Sequence, residues 1–305
     1  VAGWLEISLH GVDESLRDII ADLMADVGYQ GVVVEHEGIM PLSWGEDNPA
    51  PATHFTLRAY LPADDQLATS QKRLETALSR YPVEAPLYRD VGEDDWAEAW
   101  KRFYHPIRVG QRIYVRPVWE GANAAGPDDV EIVLDPGMAF GTGTHATTQL
   151  CLAAIEDWMP PGVDVLDLGC GSGILSIAAA KLGAGSVYAI DVDPVAVESA
   201  AENLTRNSVR EQVELATGGL PKVLDLQRSF DFAAVNILAR IIVQMCEIGL
   251  GGVVKPGGRA IFAGLIEPQA DTVEAALRQT GLTPLRRRQQ DDWILIEAER
   301  PAKPL

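Results

Sequence analysis

"VLDLGCGSG", residues 165–173, is the stretch that decides the fold. Four residues of strand character carry one carboxylate, Asp167, and run into glycines at 169, 171 and 173. The pattern predicts a buried strand that turns tightly into a helix. Positions without side chains let the backbone touch a ligand at the carboxyl end of the strand, where open α/β sheets bind ligands. A dinucleotide fingerprint, G-x-G-x-x-G, would need its third glycine at Ile174. The spacing found is G-x-G-x-G, which speaks against a nicotinamide enzyme.

Downstream, strand and helix patterns alternate strictly. VDVLDLG (163–169), SVYAIDV (186–192), VELATG (213–218), DFAAVNI (231–237) and RAIFAGL (259–265) are strand candidates separated by helical periodicity. This predicts a doubly wound α/β sheet. The end differs: Leu282–Arg288 and Trp293–Glu299 are joined by a few residues, too few for a parallel crossover, so they form an antiparallel hairpin. Arg286, Arg287 and Arg288 lie on this hairpin as a solvated strand face or an RNA contact. Asp191 closes the second strand, where a carboxylate can accept from both hydroxyls of a ribose. It could also cap the helix starting at Pro194, a position Asp193 suits better. Asn236 ends the fourth strand abruptly after small and apolar residues. It points into the same crevice or caps the next helix.

Upstream, AFGTGTHATT (139–148) lacks the Gly-Lys-Ser/Thr ending of a P-loop. It is expected to fold over the crevice, with Thr144 or His145 capping the following helix. His145 is the one histidine inside a motif. A structural role fits a lone histidine better than a general base. The first 92 residues read β-α-β-β-α-β, a ferredoxin-like α+β domain. In residues 93–110 Trp96, Trp100 and Phe103 recur at helical spacing and predict a linker helix. Residues 111–305 form the second domain.

The bulk properties narrow the classes. With 47% hydrophobic residues over 305 positions, the chain can bury a sizeable core. A formal charge of −19 argues against binding duplex nucleic acid or an anionic membrane. Residues 1–64 carry eleven acidic and two basic side chains, a net −9, which suits either a solvated surface or a basic partner. Cys151, Cys170 and Cys246 form no zinc spacing, and no metal is expected. Neither a spanning segment nor a secretory signal is visible, which points to the cytoplasm.

The motif D-L-G-C-G-S-G (167–173), Asp191 and the antiparallel ending resemble class I S-adenosylmethionine-dependent methyltransferases, whose domain is a seven-stranded Rossmann-like α/β fold. With F-G-T-G-T-H-A-T-T (140–148), N-I-L-A (236–239) and W-x-x-x-W-K (96–101), the chain resembles the PrmA family, which methylates large-subunit ribosomal protein eleven. The resemblance implies S-adenosylmethionine as cofactor, held at Thr148, Gly169, Gly171, Asp191 and Asn236. It implies Asn236 as the catalytic residue as well. Phe140 and His145 would line the methionine or substrate side. The acidic front domain would hold the ribosomal protein and present its lysines or N-terminal amine, with no direct nucleic-acid contact. A related methyltransferase of another protein, or a cofactor-binding regulator without activity, would share most of these features.

Overall fold

The computed structural model describes residues 4–25, 27, 29–36, 54–64, 66–91, 105–121, 126, 128–135, 141 and 143–302. The chain divides into two compact units, Val1–Phe103 and Tyr104–Leu305. The linker aromatics Trp96, Trp100 and Phe103, and Phe140, lie outside the described residues.

The first unit runs β1 (Trp4–Asp13), α1 (Glu14–Ala25), β2 (Tyr29–His36), β3 (His54–Pro62), α2 (Leu67–Leu78) and β4 (Leu87–Val91). Its four strands lie in the order β2-β3-β1-β4, every pair antiparallel. Alternation sends Leu5, Ile7 and Leu9 of β1 and Phe55, Leu57 and Leu61 of β3 to one face, where Ile20, Met24, Leu74 and Leu78 of the helices cover them. The opposite face is polar. Glu6 accepts from Tyr60 Oη and from Arg89, each at 2.9 Å. Burial, then the bond to Glu6, pushes the Tyr60 hydroxyl up to about 12.

The second unit begins with β5 (Ile107–Val109), β6 (Ile113–Pro117) and β7 (Val130–Leu134), a small sheet in that order. Here the structure corrects the linker helix expected over 93–110: residues 107–109 pair antiparallel with β6. Pro106 has no N–H to continue a helix, and Gly110, at φ +63°, turns the chain back on itself.

The remaining elements are α3 (Ala146–Trp158), β8 (Asp164–Leu168), α4 (Ile174–Lys181), β9 (Ser186–Asp191), α5 (Pro194–Arg206), β10 (Val213–Thr217), α6 (Leu220–Asp225), β11 (Phe230–Asn236), α7 (Ala239–Glu247), β12 (Val254–Ile266), α8 (Glu267–Gln279), β13 (Thr283–Gln290) and β14 (Trp293–Glu299). Seven strands form one sheet in the order β10-β9-β8-β11-β12-β14-β13. The first five are parallel, and β14 and β13 are antiparallel. Each face has its own core. Val165, Ala189, Phe232 and Ile261 pack under α3, α4 and α5, joined by Val115 and Ile132 of the small sheet. Leu166, Leu168, Ile190, Val235 and Phe262 pack under α6, α7 and α8. Burial on both faces explains why these strands read as near-continuous apolar runs.

The arginine triplet is neither free for RNA nor simply solvated. Glu297, 2% exposed, accepts from Arg286 and Arg288. Arg287 pairs with Glu274 and Asp271, and Arg288 also reaches Asp157. Arg286 ties β13 to β14, Arg287 ties the hairpin to α8, and Arg288 ties it to α3.

Candidate active site

The chain leaves β8 in one direction through β9 and β10, and returns on its other side through β11 and β12. The carboxyl ends of β8 and β11 therefore flank a topological switch point, the place where such sheets open a ligand crevice. Gly169, Gly171 and Gly173 turn the chain there with φ of +81°, +52° and +80°. Gly169 is required twice over. Its backbone is left-handed, and a Cβ would lie 2.5 Å from Ile237 Cγ2.

Asp191 fixes this turn from the neighbouring strand. Its Oδ2 accepts from Gly171 N at 2.9 Å and its Oδ1 from Asp193 N at 3.0 Å. An ionised carboxylate offers about four acceptor sites, so room remains for two hydroxyls. Helix capping falls to Asp193, which accepts from Val195 N at 2.9 Å as the N-cap of α5. The two aspartates thus divide the roles that the sequence left open between them.

One buried polar atom of α3 and one of β8, Thr148 Oγ1 and Asp167 Oδ1, have no hydrogen-bond partner among the described residues. Asp167 lies on the α3–α4 face of β8. Its Oδ2 accepts from Ser176 Oγ at 2.6 Å. Burial pushes its carboxyl up to about 6, against the pull of the Ser176 hydroxyl. Burial, then the Asp167 charge, raises the thiol of Cys151 in α3. The sequence reading placed Thr148 in this site but passed over Asp167 as a functional residue. The available signal was a lone carboxylate inside a buried strand, an expensive thing to keep without a use.

The Gly-Thr loop lies on the glycine turn. Ser172 Oγ donates to Gly141 O at 2.6 Å. A Cβ on Gly143 would meet Val115 Cγ1 at 3.0 Å and Ile174 Cδ1 at 3.3 Å. His145 is the N-cap of α3, its Nδ1 accepting from Thr147 N at 3.3 Å. Its ring packs edge-on against Trp293, with centroids 4.8 Å apart. Burial lowers its pKa, so the ring is neutral. With Nδ1 accepting, the ring proton is assigned to Nε2, a structural arrangement rather than that of a base.

Asn236 stands at the open edge. The β8–β11 ladder ends at Val235 and Leu168, whereas the β11–β12 ladder continues to Asn236 and Ala263. The N-cap of α7 is Leu238, with no side-chain cap, so Asn236 does not serve as one. Its half-buried side chain makes no hydrogen bond to the described residues. Leu238, 56% exposed, forms the rim beside it.

Taken together, a doubly wound sheet with an antiparallel ending, a G-x-G-x-G turn braced by the next strand's acid, and an open asparagine after the fourth strand define a Rossmann-like methyltransferase. The sequence profile described as "Ribosomal protein L11 methyltransferase (PrmA)" matches residues 3–301. The chain belongs to this family. A ribosomal protein L11 methyltransferase of Chloroflexus aurantiacus is 40% identical over 325 aligned positions, covering 98% of each chain. One from Pelotomaculum thermopropionicum is 38% identical over 307, covering 97% of this chain and 98% of that one. The crystal structure of a ribosomal protein L11 methylase from Lactobacillus delbrueckii subsp. bulgaricus superposes with a TM-score of 0.59 at 34% identity, over 65% of this chain and 100% of that chain. Among the described residues no helix is long and apolar enough to cross a membrane.

Proposed function

We propose that this chain transfers methyl groups from S-adenosylmethionine to amino groups of ribosomal protein L11, its lysine side chains and N-terminal amine, in the cytoplasm. The observation that carries the reading is Asp191. It braces the glycine turn through Gly171 and keeps acceptor capacity on a half-buried carboxylate at the switch point. Asp191 takes the ribose hydroxyls, and Gly169 and Gly171 give the backbone close approach. Thr148 Oγ1 and Asp167 Oδ1, both buried and without a partner among the described residues, fit the polar methionine end. The residues therefore suit the cofactor.

S-adenosylmethionine supplies, when bound, a methyl group already activated on a sulfonium. The chain's own task is to align an uncharged amine with it and exclude water. A lysine in water titrates near pKa ~10.4, so it arrives mostly as ammonium. A partly desolvated entrance, rimmed by Leu238, disfavours the charged form and releases the proton to water before attack. Asn236, open at the end of β11, then orients the neutral nitrogen with its side-chain oxygen.

Residues 1–92 act as a ferredoxin-like recognition domain, and the chain from β5 onward acts as a class I methyltransferase domain built on the seven-stranded sheet. The net −9 of the first 64 residues complements a lysine-rich substrate and speeds its encounter. The test is to incubate the chain with radiolabelled S-adenosylmethionine and total ribosomal proteins, then resolve the labelled bands. Label confined to L11, in amine linkage, is the expected result. Label on a different protein, or none with cofactor bound, refutes the proposal.

A further inference from the structure

Ile237 is held between two glycines at the open end of the sheet. On one side is Gly169 of the cofactor turn, whose Cα the Ile237 branch methyl covers. On the other is Gly264 of β12, at φ +88°. A Cβ there would overlap the Ile237 carbonyl oxygen and lie 2.7 Å from the carbonyl carbon. Gly264 sits where the register between β12 and β14 shifts, between Phe262 and Leu265. A β-bulge of this kind bends the strand and re-aims what packs on it. Ile237 N also donates to Ala263 O at 3.2 Å. Beyond Val235 no β8 pairing steadies this segment, so these contacts take over at the point where Asn236 projects.

We infer that Gly264 and Ile237 are positioning residues for methyl transfer. The bulge at Gly264 seats the Ile237 backbone, and the Ile237 branch methyl rests on the cofactor turn. The separation between Asn236 and the methyl donor is fixed by that wedge. This rests on the reading of the crevice as an amine methylation site. Neither residue touches a reacting atom; both act through Asn236 and Gly169.

The size of the effect follows from the overlap. Restoring ordinary contact between a new Cβ and the Ile237 carbonyl requires a shift of about 1 Å, and misplacement on that scale costs roughly 100-fold in rate. The cofactor turn is braced separately by Asp191, which accepts from Gly171 N.

The experiment measures kcat and KM with L11 and cofactor affinity by calorimetry, on the full chain. Gly264→Ala is expected to lose kcat about 100-fold while cofactor Kd stays within about twofold. Because this variant risks misfolding, a second pair tests the other half of the wedge. Ile237→Val keeps the branch methyl over Gly169 and is expected to keep kcat within about twofold. Ile237→Leu keeps the volume but removes the branch from Cβ, and is expected to lose about tenfold in kcat with KM unchanged. The inference is overturned by a folded Gly264→Ala with near-normal kcat, by Ile237→Leu matching Ile237→Val, or by cofactor affinity falling in step with kcat. A wild-type chain that binds cofactor but labels no ribosomal protein overturns the functional reading and this inference with it. Failure of the variants alone, on an active wild type, overturns only the inference.

Discussion

Replacing Asp167 by asparagine exchanges a carboxylate for a neutral isostere at a wholly buried position. Burial moves this carboxyl from its ordinary 3.8 to about 6. Between those values the folded chain binds more protons than the unfolded one. The group's stabilising contribution is therefore complete below about pH 3.8 and is lost as pH rises through about 6. A displacement of about two units at ~1.36 kcal/mol each makes the ionised group cost on the order of 3 kcal/mol above pH 7. Asparagine escapes that cost and still presents an oxygen to Ser176 Oγ. Asp167→Asn should stabilise the cofactor-free chain by up to about 3 kcal/mol at pH 7.5, shrinking toward zero near pH 4. His145, whose pKa burial lowers, is present in both proteins and cancels in the difference. Cofactor affinity should move the other way, since an amide N–H would replace the unpartnered Oδ1 acceptor. A loss of about 1–3 kcal/mol is expected for that mismatch. Urea unfolding at pH 5 and 7.5, with calorimetric titration of S-adenosylmethionine, reads both effects. A variant no more stable than wild type at pH 7.5, or equally stabilised at both pH values, would refute the reasoning.

Asp191→Ala should weaken cofactor binding by about 1–3 kcal/mol, roughly 5- to 150-fold in Kd. Asp193→Ala, which loses only the α5 cap, should cost about 1 kcal/mol of stability and leave Kd unchanged. Equal Kd values for the two variants in calorimetry would remove the ribose assignment. His145 has its pKa lowered by burial, so its stabilising contribution is present above its ordinary 6.5 and is lost as pH falls below it. His145→Gln should flatten that acid-side loss in denaturant titrations while keeping methyl transfer. Turnover abolished with cofactor affinity intact would restore the general-base role. Glu297→Gln should cost about 1.5–3 kcal/mol in urea unfolding, toward the lower end because Arg286 is largely solvent-screened. An unchanged midpoint would show that the hairpin is held by packing alone.

The legible part of the chain was the part where local pattern and tertiary role agree. Buried strands in a doubly wound sheet are short apolar runs, so β8, β9 and β11 could be read within a residue or two of their ends. The hairpin followed from loop length alone. Ile107–Val109 could not be read this way. Three residues carry no period, and their strand pairing comes from a partner on the other side of Gly110. The roles of Asp191 and Asp193 were ambiguous for a related reason. Both residue types cap helices, and only the bonds from Gly171 N and Val195 N separate them. Gly264 left no sequence signal at all, because its demand for a missing Cβ is made by Ile237, a residue 27 positions earlier.

The two ends of the parallel sheet differ in how they treat polar groups, and that difference locates the chemistry independently of any motif. At the amino ends of β8, β9 and β11, Asp164 accepts from Ser186 Oγ, Asp164 N donates to Asp231, and Lys255 reaches both carboxylates. The Ser186 hydroxyl, then Lys255, hold the Asp164 carboxyl below its ordinary value, so this end is satisfied within the chain. At the carboxyl ends, Asp167 is driven above its ordinary value, and Thr148 Oγ1, Asp167 Oδ1 and the Asn236 side chain have no hydrogen-bond partner among the described residues. An unmet buried polar atom costs about 1–3 kcal/mol, and a folded chain keeps few of them. Their position on α3, β8 and β11 is the physical support for the proposed cofactor site.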